Sequence, residues 1–98
     1  MSAYLIVEIE ITNPDNYEEV KILTPATIEQ FGGKYLARGG KTETLEGDWQ
    51  PKRLVILEFG DMDQAKAWWN SPEYAPVKQL RQIYATTNMV LTEGNPVI

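Results

Sequence analysis

Apolar and polar side chains alternate along the first segment, with Leu5, Val7, Ile9 and Ile11 on one side and Tyr4, Ile6, Glu8 and Glu10 on the other. A period of two in β-branched residues predicts a strand over 3–11. Asn13-Pro14 supplies a cap and a first-turn proline, and Asp15, Glu18 and Glu19 load the next turns with negative charge, all of which favours a helix start. Tyr17, Val20, Thr24, Ile28 and Phe31 then recur at spacings of three and four, with Leu23 and Thr27 beside them, so one stripe faces a core. Pro25 is expected to kink or split this helix near Thr24, and Gly32-Gly33 to end it.

Lys34 to Arg38 reads as a second strand, interrupted at Gly39-Gly40 by a bulge or sharp bend and continued over Thr42 to Leu45. Residues 46–51 carry turn chemistry. Lys52 to Phe59 is a third strand, apolar on both faces and therefore central in its sheet. Asp61 caps a short helix through Asn70, and Ser71-Pro72-Glu73 starts another that runs to about Tyr84. Tyr74, Val77, Leu80 (or Arg81) and Tyr84 share a stripe on it, and Asn88 to Glu93 forms a last strand.

The order β-α-β-β-α-β predicts an α+β, ferredoxin-like fold: a four-stranded antiparallel sheet with its helices on one face. Strands one and three are apolar on both faces, so a monomer would expose a large apolar patch. A homodimer through the open sheet face is the expected remedy.

Composition narrows the function classes. At 98 residues the chain is expected to be one domain spanning 1–98. A net charge of −5 without clustered Lys and Arg argues against a nucleic-acid partner. There is no Cys and no His, which removes thiol chemistry, the commonest general base and the commonest metal ligand. Glu43, Glu46 and Asp48 match no calcium-loop spacing and read as a solvated turn. No metal and no cofactor is therefore expected. The first lysine is Lys21 and the apolar runs are short, so no membrane partner is expected and a cytoplasmic protein is the default.

Candidate chemistry collects around the third strand and the helices after it. Adjacent tryptophans, a Ser-Pro element, a tyrosine and an arginine suit a pocket for a small anionic or carbonyl-bearing molecule. Arg38, Arg53 and Arg81 are candidate ligand clamps, since a strand arginine facing a core must be ion-paired or bind an anion. Glu8, Glu10, Glu43 and Glu58 could supply structural pairs instead, and Arg81 also suits the negative end of its helix dipole. Trp69 and Ser71 are candidate ligand contacts. The plainer readings are core packing for one of Trp68 and Trp69, and N-capping for Ser71, which has no His to activate it. Tyr74 and Glu58 are the candidate proton carriers, Glu58 needing a raised pKa from burial and Tyr74 having the alternative of a half-buried ring with a wet tip.

Arg38-Gly39-Gly40, Leu45-Glu46-Gly47-Asp48-Trp49, the Arg53–Phe59 run and Trp69-Asn70-Ser71-Pro72-Glu73-Tyr74 with Arg81 resemble the domain-of-unknown-function family numbered 1330. Tyr4, the Asn-Pro-Asp-Asn-Tyr helix start and the closing Glu93-Gly94 fit the same pattern. The resemblance implies the ferredoxin-like fold and membership of the dimeric α/β-barrel superfamily. That superfamily holds cofactor-independent monooxygenases, lactone isomerases, haem enzymes and amino-acid-binding regulators, so it implies no single activity. Two readings stand: a cofactor-independent, monooxygenase- or isomerase-like enzyme acting on a small aromatic or carbonyl/carboxylate metabolite, and alternatively a non-catalytic small-carboxylate-binding module or structural dimer.

Overall fold

The N-terminal alternation forms β1 (Ala3–Ile11), with Ala3, Leu5, Val7 and Ile9 buried and the intervening side chains on the opposite face. The computed structural model describes residues 1–95, so the last three positions of the expected 1–98 domain lie outside the described residues. Helix α1 (Pro14–Gln30) begins where the Asn13 side chain accepts the Asn16 N–H at 3.2 Å. It buries Tyr17, Val20, Thr27 and Ile28 against the sheet. It ends at Gly32, whose φ of +77° is the left-handed conformation that glycine adopts without a Cβ penalty.

Pro25 does not split this helix, contrary to the sequence expectation. Proline withholds only one backbone donor, and hydroxyls help the segment around it. Thr24 Oγ1 donates to the Val20 carbonyl at 2.6 Å, and Thr27 Oγ1 to the Thr24 carbonyl at 2.7 Å.

The remaining elements are β2 (Lys34–Arg38), β3 (Leu54–Phe59), α2 (Met62–Trp69), α3 (Ala75–Tyr84) and β4 (Ala85–Glu93). The strands form one antiparallel sheet in the order β2-β3-β1-β4. This is the ferredoxin-like arrangement, with β1 and β3 central as their two-sided apolar pattern requires. Leu5, Val7, Val55, Leu57 and Phe59 face the helices, which contribute Val20, Ile28, Trp68 and Val77 to the core.

Four boundaries depart from the sequence reading, and the first is that of β3, which starts at Leu54 and leaves Lys52 and Arg53 before it. Thr42–Leu45 is not a strand: residues 41–50 are exposed and irregular. The pairing of β2 with β3 ends with Arg38 opposite Val55, and the arm beyond, rich in Glu, Gly and Asp, has poor strand formers. β4 starts at Ala85, directly after α3, because β-branched Thr86 and Thr87 already pair with Glu10 and Ile9. α3 starts at Ala75, and Ser71 to Tyr74 forms a separate turn before it.

Among the described residues no helix covers the sheet's second face. Tyr4, Ile6, Leu54 and Ile56 lie half-buried there, and Val90 is 63% exposed. Trp49 of the irregular arm is tied to this face, its indole N–H donating to Glu8 Oε2 at 2.9 Å.

Candidate functional site

A cationic cavity lies between the sheet and the helices, and two of its arginines, Arg38 and Arg53, reach it through departures from regular structure, while Arg81 reaches it from a regular helix. Strand alternation would put Tyr35 and Arg38, three residues apart, on opposite faces. The register shift between Tyr35 and Ala37 inserts one extra residue, so Tyr35 and Arg38 both turn to the helix side. The Arg38 guanidinium sits 4.6 Å from the Tyr35 ring centroid. Its Nη2 donates to the Lys21 carbonyl at 2.7 Å. That carbonyl is the one four residues before Pro25, which has no N–H to give it. The proline in α1 thus creates the acceptor that fixes Arg38.

Arg53 enters from the other end of the arm, and its backbone carbonyl accepts the Ile9 N–H at 2.9 Å. Its guanidinium passes directly over Gly39: a Cβ there would lie 2.2 Å from Nη1 and 2.6 Å from Cζ. Gly39 also has a φ of +69°, so both its backbone conformation and its missing side chain serve this crossing. Arg53 Nε is buried and has no hydrogen-bond partner among the described residues.

Arg81 lies on the inner stripe of α3, one turn after Val77, and is only 6% exposed. Its Nε donates to the Tyr74 hydroxyl at 3.1 Å. The Tyr74 ring stacks on Trp68 with centroids 4.0 Å apart, and the Trp68 indole N–H donates to Thr27 Oγ1 at 3.1 Å. Ser71 shapes this corner: its Oγ donates to the Trp68 carbonyl at 2.8 Å and accepts the Tyr74 N–H at 3.1 Å.

The space is about 50 Å³, open on one side, and is bordered by Arg38, Arg53, Arg81, Tyr17, Tyr35 and Tyr74 over an apolar floor that includes Val7, Val55 and Leu57. One water-sized atom needs about 10–15 Å³, so roughly three to five such atoms fit. Lys21 also borders the space, but no Asp or Glu does. Lys21 pairs with Glu18 at 3.1 Å, whereas none of the three arginines forms an ion pair among the described residues. Burial raises the pKa of Tyr74 against the opposing influence of Arg81. Burial likewise raises Tyr17, against Arg53 first, and Tyr35, against Arg38 first. All three phenols therefore stay protonated near neutrality. Tyr74 accepts from Arg81 and keeps its own proton to donate.

The structure brings Arg38, Arg53, Arg81 and Tyr74 together. It does not bring the other three sequence candidates to this cavity. Trp69 lies outside it, because Ala65 sets the buried side of α2 and Trp68, three residues on, takes the inward position. Ser71 has its hydroxyl engaged in the turn, as the capping reading holds. Glu58 lies between inward Leu57 and Phe59, so strand alternation points it to the open face, where it pairs with Lys34 at 3.3 Å. Its pKa is lowered, chiefly by Lys34 and further by Ser2 and Tyr4, the reverse of what a general base near neutrality needs. Sequence reasoning missed Tyr17 and Tyr35 as lining groups. Tyr17 could have been suspected as a polar tip on an otherwise apolar stripe, but the bulge expected at Gly39-Gly40 falls instead between Tyr35 and Ala37, where it turns Arg38 to the side of Tyr35.

A family model described as a domain of unknown function (DUF1330) matches residues 2–95. No curated protein matches the chain. Among solved structures, a protein of unknown function from Rhodopseudomonas palustris is similar with a TM-score of 0.77 at 14% identity, over 98% of this chain and 84% of that one. A dimeric ferredoxin-like protein of unknown function from Jannaschia sp. CCS1 gives 0.71 at 13% identity, over 96% of this chain and 100% of that one. SnoaB, a cofactor-independent oxygenase from Streptomyces nogalater, gives 0.66 at 14% identity, over 99% of this chain and 96% of that one. At these identities the likeness is one of fold.

Proposed function

Because the chain belongs to the DUF1330 family, whose description names no activity, we propose a function from the cavity itself: it binds a small carboxylate or an equivalent oxyanion. Arg38, Arg53 and Arg81 hold the negative charge, and Tyr74 donates a hydrogen bond to it. The observation that carries this reading is Arg53 Nε, buried and, among the described residues, unpartnered in a space that three arginines border and no side-chain carboxylate enters. Burying a cation without a counter-charge costs several kcal/mol as an order of magnitude. An anionic ligand removes that cost.

A second reading is supported by the fold shared with the oxygenase SnoaB. Arg81 and Tyr74 would stabilise charge developing on a carbonyl oxygen, such as that of an enolate. No Asp, Glu or His borders the cavity, so the base for such a reaction would have to belong to the substrate or to solvent. Binding is the function the geometry supports first.

The open face supports a homodimer. Half-buried Tyr4, Ile6, Leu54 and Ile56 with exposed Val90 make an apolar surface of the kind that a two-fold partner covers, and one structural relative is described as dimeric. Among the described residues no helix is long and apolar enough to cross a membrane. The cytoplasmic setting expected from composition belongs to the same proposal.

Melting curves with acetate, pyruvate and benzoate, against chloride at equal ionic strength, test the binding reading. At ten times Kd the linkage is about 1.4 kcal/mol, or roughly 5–10 °C in a domain of this size. Arginine stays charged and the phenols titrate above their ordinary value of about 10, so the shift should persist unchanged from about pH 6 to about pH 9. Carboxylates that stabilise no more than chloride overturn the reading.

A further inference from the structure

Beside the cationic cavity lies a second, apolar groove of about 180 Å³, lined by Leu5, Ala65, Lys66, Trp69, Met89 and Leu91. Met89 also lines the cationic cavity, so one side chain forms a wall common to both. The two spaces run side by side along β1: Leu5 lines the groove, and Val7, the next residue on the same face, lines the cavity. At the other wall they are divided between neighbours on α2, with Trp68 on the cavity and Trp69 on the groove. The Trp69 ring lies 6.2 Å from the Tyr74 ring and 5.8 Å from the Arg81 guanidinium, so the anion-holding groups and the groove adjoin. Lys66 is the only charged residue of the groove and is exposed, which allows its stem to lie on apolar surface with its head in water.

The cavity has room for a carboxylate and little more, whereas the groove has room for roughly a dozen water-sized atoms. Methionine is unbranched and flexible, the side chain best suited to turn aside without disturbing its neighbours. On the anion-binding reading above, we infer that the ligand is amphiphilic. Its carboxylate occupies the arginine cavity and its apolar body lies in the Trp69 groove, with Met89 as the movable partition. This assigns Trp69 a place in the site different from the one its position beside the Ser-Pro element suggests: it recognises the ligand's apolar body.

Calorimetric titration of the full chain with acetate, butyrate, hexanoate and octanoate, below micellar concentrations, tests the inference. Affinity should rise roughly threefold to fourfold for each methylene that leaves water, until the groove is filled. Leu91→Trp, or the milder Leu91→Phe if the first does not fold, should shrink the octanoate-to-acetate ratio to within about twofold by filling the groove. Equal affinity for all four acids overturns the amphiphile proposal and leaves the carboxylate site standing. A gain with chain length that survives both Leu91 variants also overturns it, since the tail then lies elsewhere. Failure of every acid to bind, acetate included, overturns the carboxylate reading and this one with it.

Discussion

On the face of the sheet that the helices cover, Arg38, Arg53 and Arg81 meet around a small cavity bordered by no acid. On the other face, Glu8, Glu10 and Glu58 stand among Tyr4, Ile6, Leu54 and Ile56. A chain with a net charge of −5 has thus turned its arginines to the helix side, with Arg81 buried, Arg53 half-buried and Arg38 exposed at the rim, and its sheet carboxylates to the open face. Stability alone would favour the reverse or would pair the two sets, because an unpaired buried cation is costly and Glu8, Glu10 and Glu58 are in neighbouring strands. On the binding reading proposed above, the helix face is organised around a ligand's charge and the open face around apolar contact.

The comparison breaks most directly at Arg53. Arg53→Met keeps the aliphatic stem and removes a guanidinium whose Nε has no partner among the described residues. Carboxylate affinity should fall between about thirtyfold and several thousandfold, from the 2–5 kcal/mol or more that truncating one side of a desolvated charge pair removes. Stability should rise by about 1 kcal/mol, since nothing in the fold loses a bond. Calorimetry and thermal melts measure the two quantities on one sample. A loss of stability with unchanged affinity would make the arginines structural and erase the contrast between the faces.

Val90→Arg makes the complementary test on the open face. Val90 is exposed and opposite Ile6 on the unhelical side. In a two-fold dimer the substitution sets two like charges near one interface, and dissociation should strengthen by about tenfold to a hundredfold. Sedimentation across micromolar concentrations reads this, while acetate affinity should stay within about twofold. A native chain already monomeric at those concentrations removes the dimer proposal and leaves the cavity untouched.

These two faces differ in how far the sequence discloses them. Period-two alternation in β1 and β3 identifies inward and outward residues directly, so the sheet, its central strands and the apolar open face are legible from the pattern. Capping by Asn13 and Asp61 is legible for the same reason, being a local property of residue type. The cavity is less so. Arg38 is re-aimed by a register shift, and such a shift depends on how β3 pairs, not on residues 34–38 alone. Pro25 reads as a helix breaker because the pattern cannot show that its orphaned acceptor, Lys21, would be met by Arg38 from a distant strand. Trp68 and Trp69 are distinguished only by the phase of α2, which Ala65 sets by packing. Glu58 illustrates the opposite error: a carboxylate beside a candidate pocket in sequence lies across the sheet from it in space.

Glu58→Gln gives the smallest expected effect and the sharpest test of that last point. The carboxylate is held on the open face by Lys34, and its pKa is depressed below the ordinary 4.5 by that contact first. A depressed carboxylate contributes stability that is present above its unfolded pKa and lost as pH falls through its folded one. The variant should therefore differ most from the native chain above the ordinary carboxylate pKa, and the difference should fade as acid protonates Glu58 in the folded state, by a margin that an exposed pair keeps small. Carboxylate affinity should not change beyond about twofold at neutral pH, because a full sheet thickness separates Glu58 from the arginines. A large loss of binding or turnover in Glu58→Gln would place a proton carrier where the geometry puts only a surface ion pair. The division of labour between the two faces would then have to be abandoned.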